Sequence, residues 1–177
     1  MMEKISNKKR LMYMSGEDFY FFSYNIFLIL KELNCFNGRT FKDYRKLPYL
    51  VDIISDKNLL GILVRNDFGE IRNPIDRKHL VKSYTDCQIK TSEYLKLLFS
   101  LERQGYVVLS SAKRMSQIDV ELKRDVVGKE FFNTDIFGEE KNNITKLKSE
   151  ISRISSINFE TLIDRIYTAE REIRWAV

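Results

Sequence analysis

The sequence predicts a mainly α-helical fold with one β-hairpin, which places it in the α+β class. Apolar residues repeat at helical spacing over most of the chain. Its 177 residues include only 7 Gly and 2 Pro, which suits helices joined by few tight turns. Two short runs, Tyr106–Leu109 and Ile118–Leu122, flank a polar segment and predict the strands of the hairpin.

The composition predicts a folded interior and narrows the partners and the cellular compartment expected for the chain. Hydrophobic residues make up 44% and aromatic residues 12%, which argues against global disorder. The net charge of +5 permits contact with nucleic acid or acidic partners without establishing it, because 25 acidic residues offset 30 basic ones. Cys35 and Cys87 lie far apart in apolar patterns, which predicts buried free thiols in a reducing compartment. We therefore expect a cytoplasmic location without a membrane span.

The first half of the chain predicts helices separated by polar loops. Phe19–Leu33 is apolar on almost all sides and predicts a buried helix that ends near Gly38. Thr40–Asp43 predicts the start of a second helix, within which Pro48 is expected to cause a kink or a break. Leu59–Val64 is too short for its spacing to distinguish a strand from a helix.

The central region predicts a helix followed directly by the hairpin. Asn73 and Pro74 form a strong helix start, and the apolar pattern continues to Gly105, as one helix or two. The hairpin that follows has Lys113 and Arg114 at its tip. A helix that ends at glycine and leads into a basic-tipped hairpin is the local signature of a winged-helix module.

The sequence divides into three predicted parts. These are a basic N-terminal tail (1–14), a winged-helix-like core (15–127) and a C-terminal helical extension (128–177). Apolar residues of the extension repeat at three- and four-residue spacing, with Asn158 as the cap of a last helix. This stripe either folds back onto the chain's own core or binds a partner protein. The candidate partner residues are Ile151, Ile154, Phe159, Leu162, Ile166, Ile173 and Trp175.

Basic residues in the central region are candidates for DNA contact. Lys113 and Arg114 at the hairpin tip are placed to reach phosphates. The preceding helix adds Lys90, Lys96 and Arg103. Glu93 and Glu102 on the same helix weaken the electrostatic case, so a solvated helix face stays an open alternative.

The sequence contains one fragment that resembles a nuclease site. Glu121 and Lys123 form Glu-x-Lys on a predicted strand, and restriction-type nucleases pair this motif with an aspartate, here Asp76, to hold Mg²⁺. Asp76 falls at a predicted helix start instead of a strand end, which disfavours this assignment. His79 is the only histidine, and no nucleophile elbow, paired-cysteine zinc motif or phosphate-binding glycine loop occurs. We expect no catalytic activity, cofactor or metal.

The order of these features is similar to a known family. The long apolar helix Phe19–Leu33 precedes Lys46-Leu47-Pro48-Tyr49-Leu50, and then comes a helix and a hairpin with a charged second strand. Over roughly Phe19 to Lys123, the chain resembles the small middle component of three-component ABC/SMC-like anti-phage systems of the Lamassu type. In such systems a small winged-helix-like subunit accompanies a large SMC- or Rad50-like ATPase and an effector, often a nuclease.

The resemblance implies a non-catalytic adaptor. Such a subunit would bind the ATPase near its head domains and help couple DNA sensing to effector release. Its expected partners are therefore the SMC/Rad50-like ATPase and the effector, with direct contact to double-stranded DNA left open. The alternative is a stand-alone winged-helix DNA-binding regulator, which predicts homodimerisation and steeply salt-dependent binding.

Overall fold

The computed structural model describes residues 19–111, 117–133 and 135–167, and within them it is mainly helical with one two-stranded sheet, as predicted. In chain order, the elements are α1 (19–32), α2 (Leu47–Ser55), α3 (Lys57–Arg65), α4 (Pro74–Arg103), β1 (Val107–Ser111), β2 (Ile118–Leu122), α5 (Lys129–Asn133), α6 (Gly138–Glu150) and α7 (Phe159–Ile166). Short 3-10 turns at Tyr44–Lys46 and Asp135–Phe137 precede α2 and α6.

Helix α4 is one continuous helix of 30 residues, about 45 Å long. The side chain of Asn73 caps it by accepting hydrogen bonds from the N–H groups of Ile75 (2.9 Å) and Asp76 (3.4 Å), as predicted. At its end Gly105 has φ +82°, and the Tyr106 N–H donates to the Leu101 carbonyl at 2.9 Å. This glycine-based cap turns the chain directly into β1.

The second predicted helix begins later than Thr40–Asp43 suggests: the Asp43 side chain caps the 3-10 turn Tyr44–Lys46, which leads into α2. Phe41 instead forms an isolated antiparallel bridge with Val120 of β2, in which each residue donates its N–H to the other's carbonyl (2.7 and 2.9 Å). Pro48 lies in the first turn of α2, where its missing N–H has no intrahelical acceptor to satisfy. No kink therefore forms there. The ambiguous run Leu59–Val64 lies in α3.

The hairpin has the predicted strands with a shifted start. β1 and β2 pair antiparallel from Val107 opposite Leu122 to Ser111 opposite Ile118. β2 pairs on one side with β1, which follows α4, and on the other with Phe41, which precedes α2. It therefore joins these two parts of the fold.

Both cysteines are free thiols buried in the interior, as predicted. Burial raises the pKa of Cys35 to about 11 and raises that of Cys87 as well. The thiols therefore stay protonated near neutral pH, and protonated thiols are poor nucleophiles and poor metal ligands.

The C-terminal segment packs onto the core through Lys46, whose side chain has no exposed surface. Its ammonium donates to the carbonyls of Ile154 (2.8 Å), Ser155 (3.2 Å) and Ile157 (2.9 Å). Burial lowers the pKa of this lysine to about 8, against the opposing effect of Asp43. The helical spacing of apolar residues continues in the sequence to Ile154, but α6 ends at Glu150. The carbonyls that Lys46 binds therefore lie outside the helix.

A second polar contact fixes the end of the described chain. The Ser83 hydroxyl on α4 donates to Asp52 Oδ2 at 2.6 Å and lies 3.0 Å from the hydroxyl of Tyr167. Because the proton of Ser83 points to the carboxylate, the Tyr167 hydroxyl is the donor to Ser83. Burial raises the pKa of both Asp52 and Tyr167. Within the described residues, none of the helices combines the length and apolarity that crossing a bilayer requires.

Candidate nucleic-acid interface

The outward face of α4 forms a continuous exposed stripe, here called the outer stripe. Its members repeat at alternating three- and four-residue spacing, which keeps them on one side of the helix. They are Ile75, Lys78, Lys82, Thr85, Ile89, Ser92, Lys96, Phe99 and Arg103, and all nine are exposed. Four of the nine carry positive charge and none is acidic.

The inward face of the same helix packs against the core, with buried residues such as Leu80, Cys87, Tyr94 and Leu98. Lys90 lies on this side and is only half-exposed. Its ammonium sits 5.7 Å from the centre of the Phe22 ring of α1. Lys90 therefore lies apart from the outer stripe, with its head group near α1, and its contact with DNA stays a prediction.

Three of the four acidic residues of α4, namely Asp76, Asp86 and Glu102, lie away from the outer stripe. Asp76 pairs with Arg65 at 3.4 Å, and a carboxylate oxygen of Glu102 accepts the N–H of Leu109 in β1 at 2.9 Å. Asp86 is half-buried, and Glu93 is exposed beside the stripe. The outer stripe itself therefore carries only positive charge, with Glu93 as an exposed acidic neighbour.

The outer stripe has the chemistry of a surface that contacts a duplex. Lys82 and Lys96 are fourteen residues apart, which separates them by about 21 Å along the helix. Between them lie Thr85, Ile89 and Ser92. Lysines at the two ends can bind phosphates, while hydroxyl and aliphatic groups between them can contact base edges, including the thymine methyl.

Lys96 and Arg103 are on the outer stripe as predicted candidates, whereas Lys78 and Lys82 were missed. Their signal was present in the sequence: they continue the spacing of Lys96 and Arg103 toward Ile75. Lys113 and Arg114 at the hairpin tip lie outside the described residues.

The nuclease-like residues have structural contacts. Glu121 Oε1 accepts the N–H of Gly38 at 2.7 Å, and Asp119 binds the Lys42 ammonium at 2.7 Å. Among the described residues, no three His, Cys, Asp or Glu side chains come together as metal ligands. These contacts hold β2 against the chain that precedes α2.

His79 pairs with a helix cap. Its Nε2 lies 3.0 Å from Oδ2 of Asp56, whose Oδ1 accepts the N–H groups of Asn58 and Leu59 at the start of α3. Burial alone would raise the pKa of Asp56, but these hydrogen bonds outweigh it and lower the pKa.

The predicted partner stripe is part of the core, which corrects its assignment as a docking surface. Four of its members are buried: Ile151, Ile154, Leu162 and Ile166. Phe159 is half-buried between Tyr49, at 5.8 Å between ring centres, and the Arg45 guanidinium, 4.7 Å from the ring centre. Ile173 and Trp175 lie outside the described residues. Burying these side chains removes apolar area from water within the chain itself, so they are unavailable to a partner in this conformation.

Comparison of the chain with protein-family models, with curated proteins and with solved structures finds no match in any of the three.

Proposed function

We propose that this chain is a non-catalytic, winged-helix-like adaptor that contacts double-stranded DNA through the outer stripe of α4. In this proposal it links an SMC- or Rad50-like ATPase to an effector subunit in a cytoplasmic anti-phage defence complex. The observation that carries the DNA contact is the outer stripe, in which four of nine exposed members are cations and none is acidic. Neutralising phosphates with lysine and arginine is the main source of affinity for DNA.

The order of elements supports the winged-helix part of the proposal. Helix α1 is followed by an extended residue, Phe41, that bridges to β2, then by α2, α3 and α4, and then by the hairpin. A winged-helix module has a strand after its first helix that joins the sheet of the hairpin, and its groove-binding helix directly precedes that hairpin. Helix α4 occupies this position.

The adaptor part rests on the resemblance to the small subunit of Lamassu-type systems and on the contacts of the nuclease-like residues. Glu121 and Asp119 bind a backbone N–H and a lysine, and both contacts tie β2 to the preceding chain. These carboxylates have a structural explanation that requires no reaction.

DNA binding is tested by reversing two charges of the outer stripe. We expect Lys82→Glu combined with Lys96→Glu to weaken binding to a labelled duplex of about 20 base pairs by about 30-fold or more. The slope of log affinity against log salt should fall by about 2, since two phosphate contacts are lost. Fluorescence anisotropy across a salt series measures both quantities.

The matched control is Lys146→Glu combined with Lys57→Glu, which reverses two exposed charges on other helices. This variant should bind the duplex like wild type within about threefold, allowing for the weaker attraction of a less positive protein. If the control loses as much affinity as the outer-stripe variant, binding depends on net charge alone and the proposed interface is wrong.

The adaptor role is tested by co-purification from the native host with tagged chain. We expect a large coiled-coil ATPase to co-purify with wild type and with the outer-stripe variant alike. The alternative, a stand-alone regulator, uses the same outer stripe and predicts a homodimer without an ATPase. Recovery of the chain alone would therefore overturn the adaptor role and leave the DNA-binding surface in place.

A further inference from the structure

A second surface, separate from the outer stripe, combines aromatic and basic groups. It lies between one face of α1 and the segment 124–133. On α1, Tyr20, Tyr24, Phe27 and Lys31 follow one another at spacings of four, three and four residues, so they share one side of the helix. The surface has an aromatic end and a basic end.

The aromatic end is an open cleft of about 260 Å³. Tyr20 is 59% exposed and Val126 is 50% exposed at its rim. Tyr24 contacts Phe131, with 5.1 Å between ring centres, and Phe131 contacts Phe27 at 6.2 Å. The rings leave apolar surface accessible around a cleft large enough for one apolar side chain, which is the usual geometry of an interface anchor site.

The basic end is a larger cleft of about 540 Å³, lined by Lys31 and Arg124. The Lys31 ammonium lies 4.6 Å from the centre of the Phe132 ring, and the Arg124 guanidinium lies 4.9 Å from that of Phe36. Stacking on a ring limits the rotamers of a long cation, so less conformational entropy is lost when an anion binds.

Acidic groups are also present at the basic end, where the cations Lys31, Arg124 and Lys148 outnumber Glu32 and Asp125. Asp125 lines the cleft, and Glu32 lies 3.6 Å from Lys31. The Lys148 ammonium donates to the Glu32 carbonyl at 2.9 Å, which adds a third cation at this end of α1.

The two clefts form one continuous surface. Val127 and Gly128 line both of them. Tyr24 and Lys31 are seven residues apart on α1, which corresponds to about 10 Å along the helix axis. An extended peptide covers that distance in about three residues.

We propose that this surface binds an acidic segment of a partner protein, with an apolar anchor at the aromatic end and a carboxylate at the basic end. The charge of the basic end selects the acidic segment, and the open aromatic cleft selects the anchor. The proposal rests on the adaptor role, for which it supplies a partner surface in place of the buried C-terminal stripe. The spacing of the clefts sets the motif: an aromatic or aliphatic residue with Asp or Glu three to four positions away.

The test is a selection of random twelve-residue peptides on the immobilised full chain, followed by fluorescence polarisation of the enriched peptides. We expect enriched peptides to have an apolar anchor with an acidic residue three to four positions away. Lys31→Glu combined with Arg124→Glu should weaken their binding by about tenfold or more. Arg72→Glu combined with Lys146→Glu reverses two exposed charges elsewhere, is the matched control and should leave binding nearly unchanged.

A charge-swapped peptide shows whether the double variant has lost binding through its changed charge or through misfolding, because only a folded variant can bind the swapped peptide. Replacing the acidic residue of an enriched peptide by lysine should abolish binding to wild type and restore it to the Lys31→Glu, Arg124→Glu variant. Enrichment of peptides without acidic residues, or failure of the charge swap, overturns the proposal. Loss of duplex binding in the Lys31→Glu, Arg124→Glu variant, with no enriched peptide, would assign the surface to nucleic acid instead.

The outcomes separate this proposal from the proposed function. If the ATPase co-purifies but no acidic peptide is enriched, the partner surface is wrong and the adaptor role stands. If acidic peptides bind but no ATPase co-purifies, the surface stands and the adaptor role is wrong.

Discussion

The outer stripe of α4 and the C-terminal segment 151–167 have similar sequence spacing and opposite surroundings. Both recur mainly at three- and four-residue intervals, and each contains residues that the sequence names as binding candidates, such as Lys96 and Arg103 in the stripe and Ile151 and Leu162 in the segment. In the structure the outer stripe is exposed along its whole length, whereas Ile151, Leu162 and Ile166 are buried. Spacing therefore defines a face of a helix, but the chemistry of the neighbouring elements decides whether that face meets solvent or core.

The largest expected change in unfolding free energy is in the buried C-terminal segment. Leu162 on α7 has no exposed surface. We expect Leu162→Ala to lower the free energy of unfolding by about 3 kcal/mol, through lost burial and a residual cavity. Urea unfolding measures the change. Ile89→Ala on the outer stripe, where the side chain is 70% exposed, is the matched control and should change stability by less than about 0.5 kcal/mol. A similar small effect at Leu162 would mean that α7 does not pack in solution as described.

The next effect concerns the lysine that holds the C-terminal segment. Lys46→Met keeps the side-chain volume but leaves three buried carbonyls without their donor. We expect a loss of about 2 kcal/mol in unfolding free energy. Lys57→Met, whose parent side chain is 83% exposed, should change stability by less than about 0.5 kcal/mol. If Lys46→Met is as stable as wild type, relief of the buried charge compensates for the lost hydrogen bonds.

The pH dependence gives this prediction a second readout. The pKa of Lys46 is about 8 in the folded chain and 10.5 ordinarily. Between these values the unfolded chain binds more protons, so the contribution of Lys46 to unfolding free energy is constant below about pH 8 and increases as pH rises above it. The difference between wild type and Lys46→Met should therefore grow from pH 8 upward.

A smaller effect is expected at the contact that ties β2 to the residues before α2. Asp119 accepts hydrogen bonds from Lys42, Gln117 and the N–H of Asp43. Burial alone would raise its pKa, but these donors lower it. We expect Asp119→Asn to cost about 1 kcal/mol at pH 7.

The sign of the pH effect at Asp119 follows from its lowered pKa. Its stabilisation is fully present above the unfolded value, near 3.8, and is lost as pH falls through the lower folded value. Wild type and Asp119→Asn should therefore converge in unfolding free energy at acid pH, whereas exposed Asp125→Asn should resemble wild type throughout. A difference that persists below pH 2 would show that the variant disturbs packing instead of charge.

Much of the fold could be predicted because its signals are local. The cap at Asn73, the turn at Gly105 and the two strands depend on residues adjacent in sequence, and each is present. The bridge of Phe41 to Val120 could not be predicted, since it joins residues 79 positions apart and Thr40–Asp43 resembles a helix start locally.

The candidate site could be predicted only in part, for a related reason. Lys96 and Arg103 lie on the exposed face, whereas Lys90, which the sequence groups with them because all three lie on one helix, is half-exposed on the other side. Its spacing from Cys87 and Tyr94 placed it on the apolar side, and this was a sequence signal that charge alone obscured. The aromatic and basic clefts could not be predicted from the sequence, because they form between α1 and segment 124–133, which are about a hundred residues apart.

The smallest expected effect distinguishes two lysines of one helix. Lys96 lies on the outer stripe, while Lys90 faces the Phe22 ring, so only Lys96 is placed to bind a phosphate. We expect Lys96→Ala to reduce the salt slope of duplex binding by about 0.9 and to lower affinity several-fold at low salt. Lys90→Ala removes the same charge and should leave the salt slope unchanged. The two variants have equal net charge, so any difference in slope reports the position of the lysine and not the total charge. Equal slopes for the two variants would contradict the orientation of α4 on DNA, since both lysines would then contact phosphate.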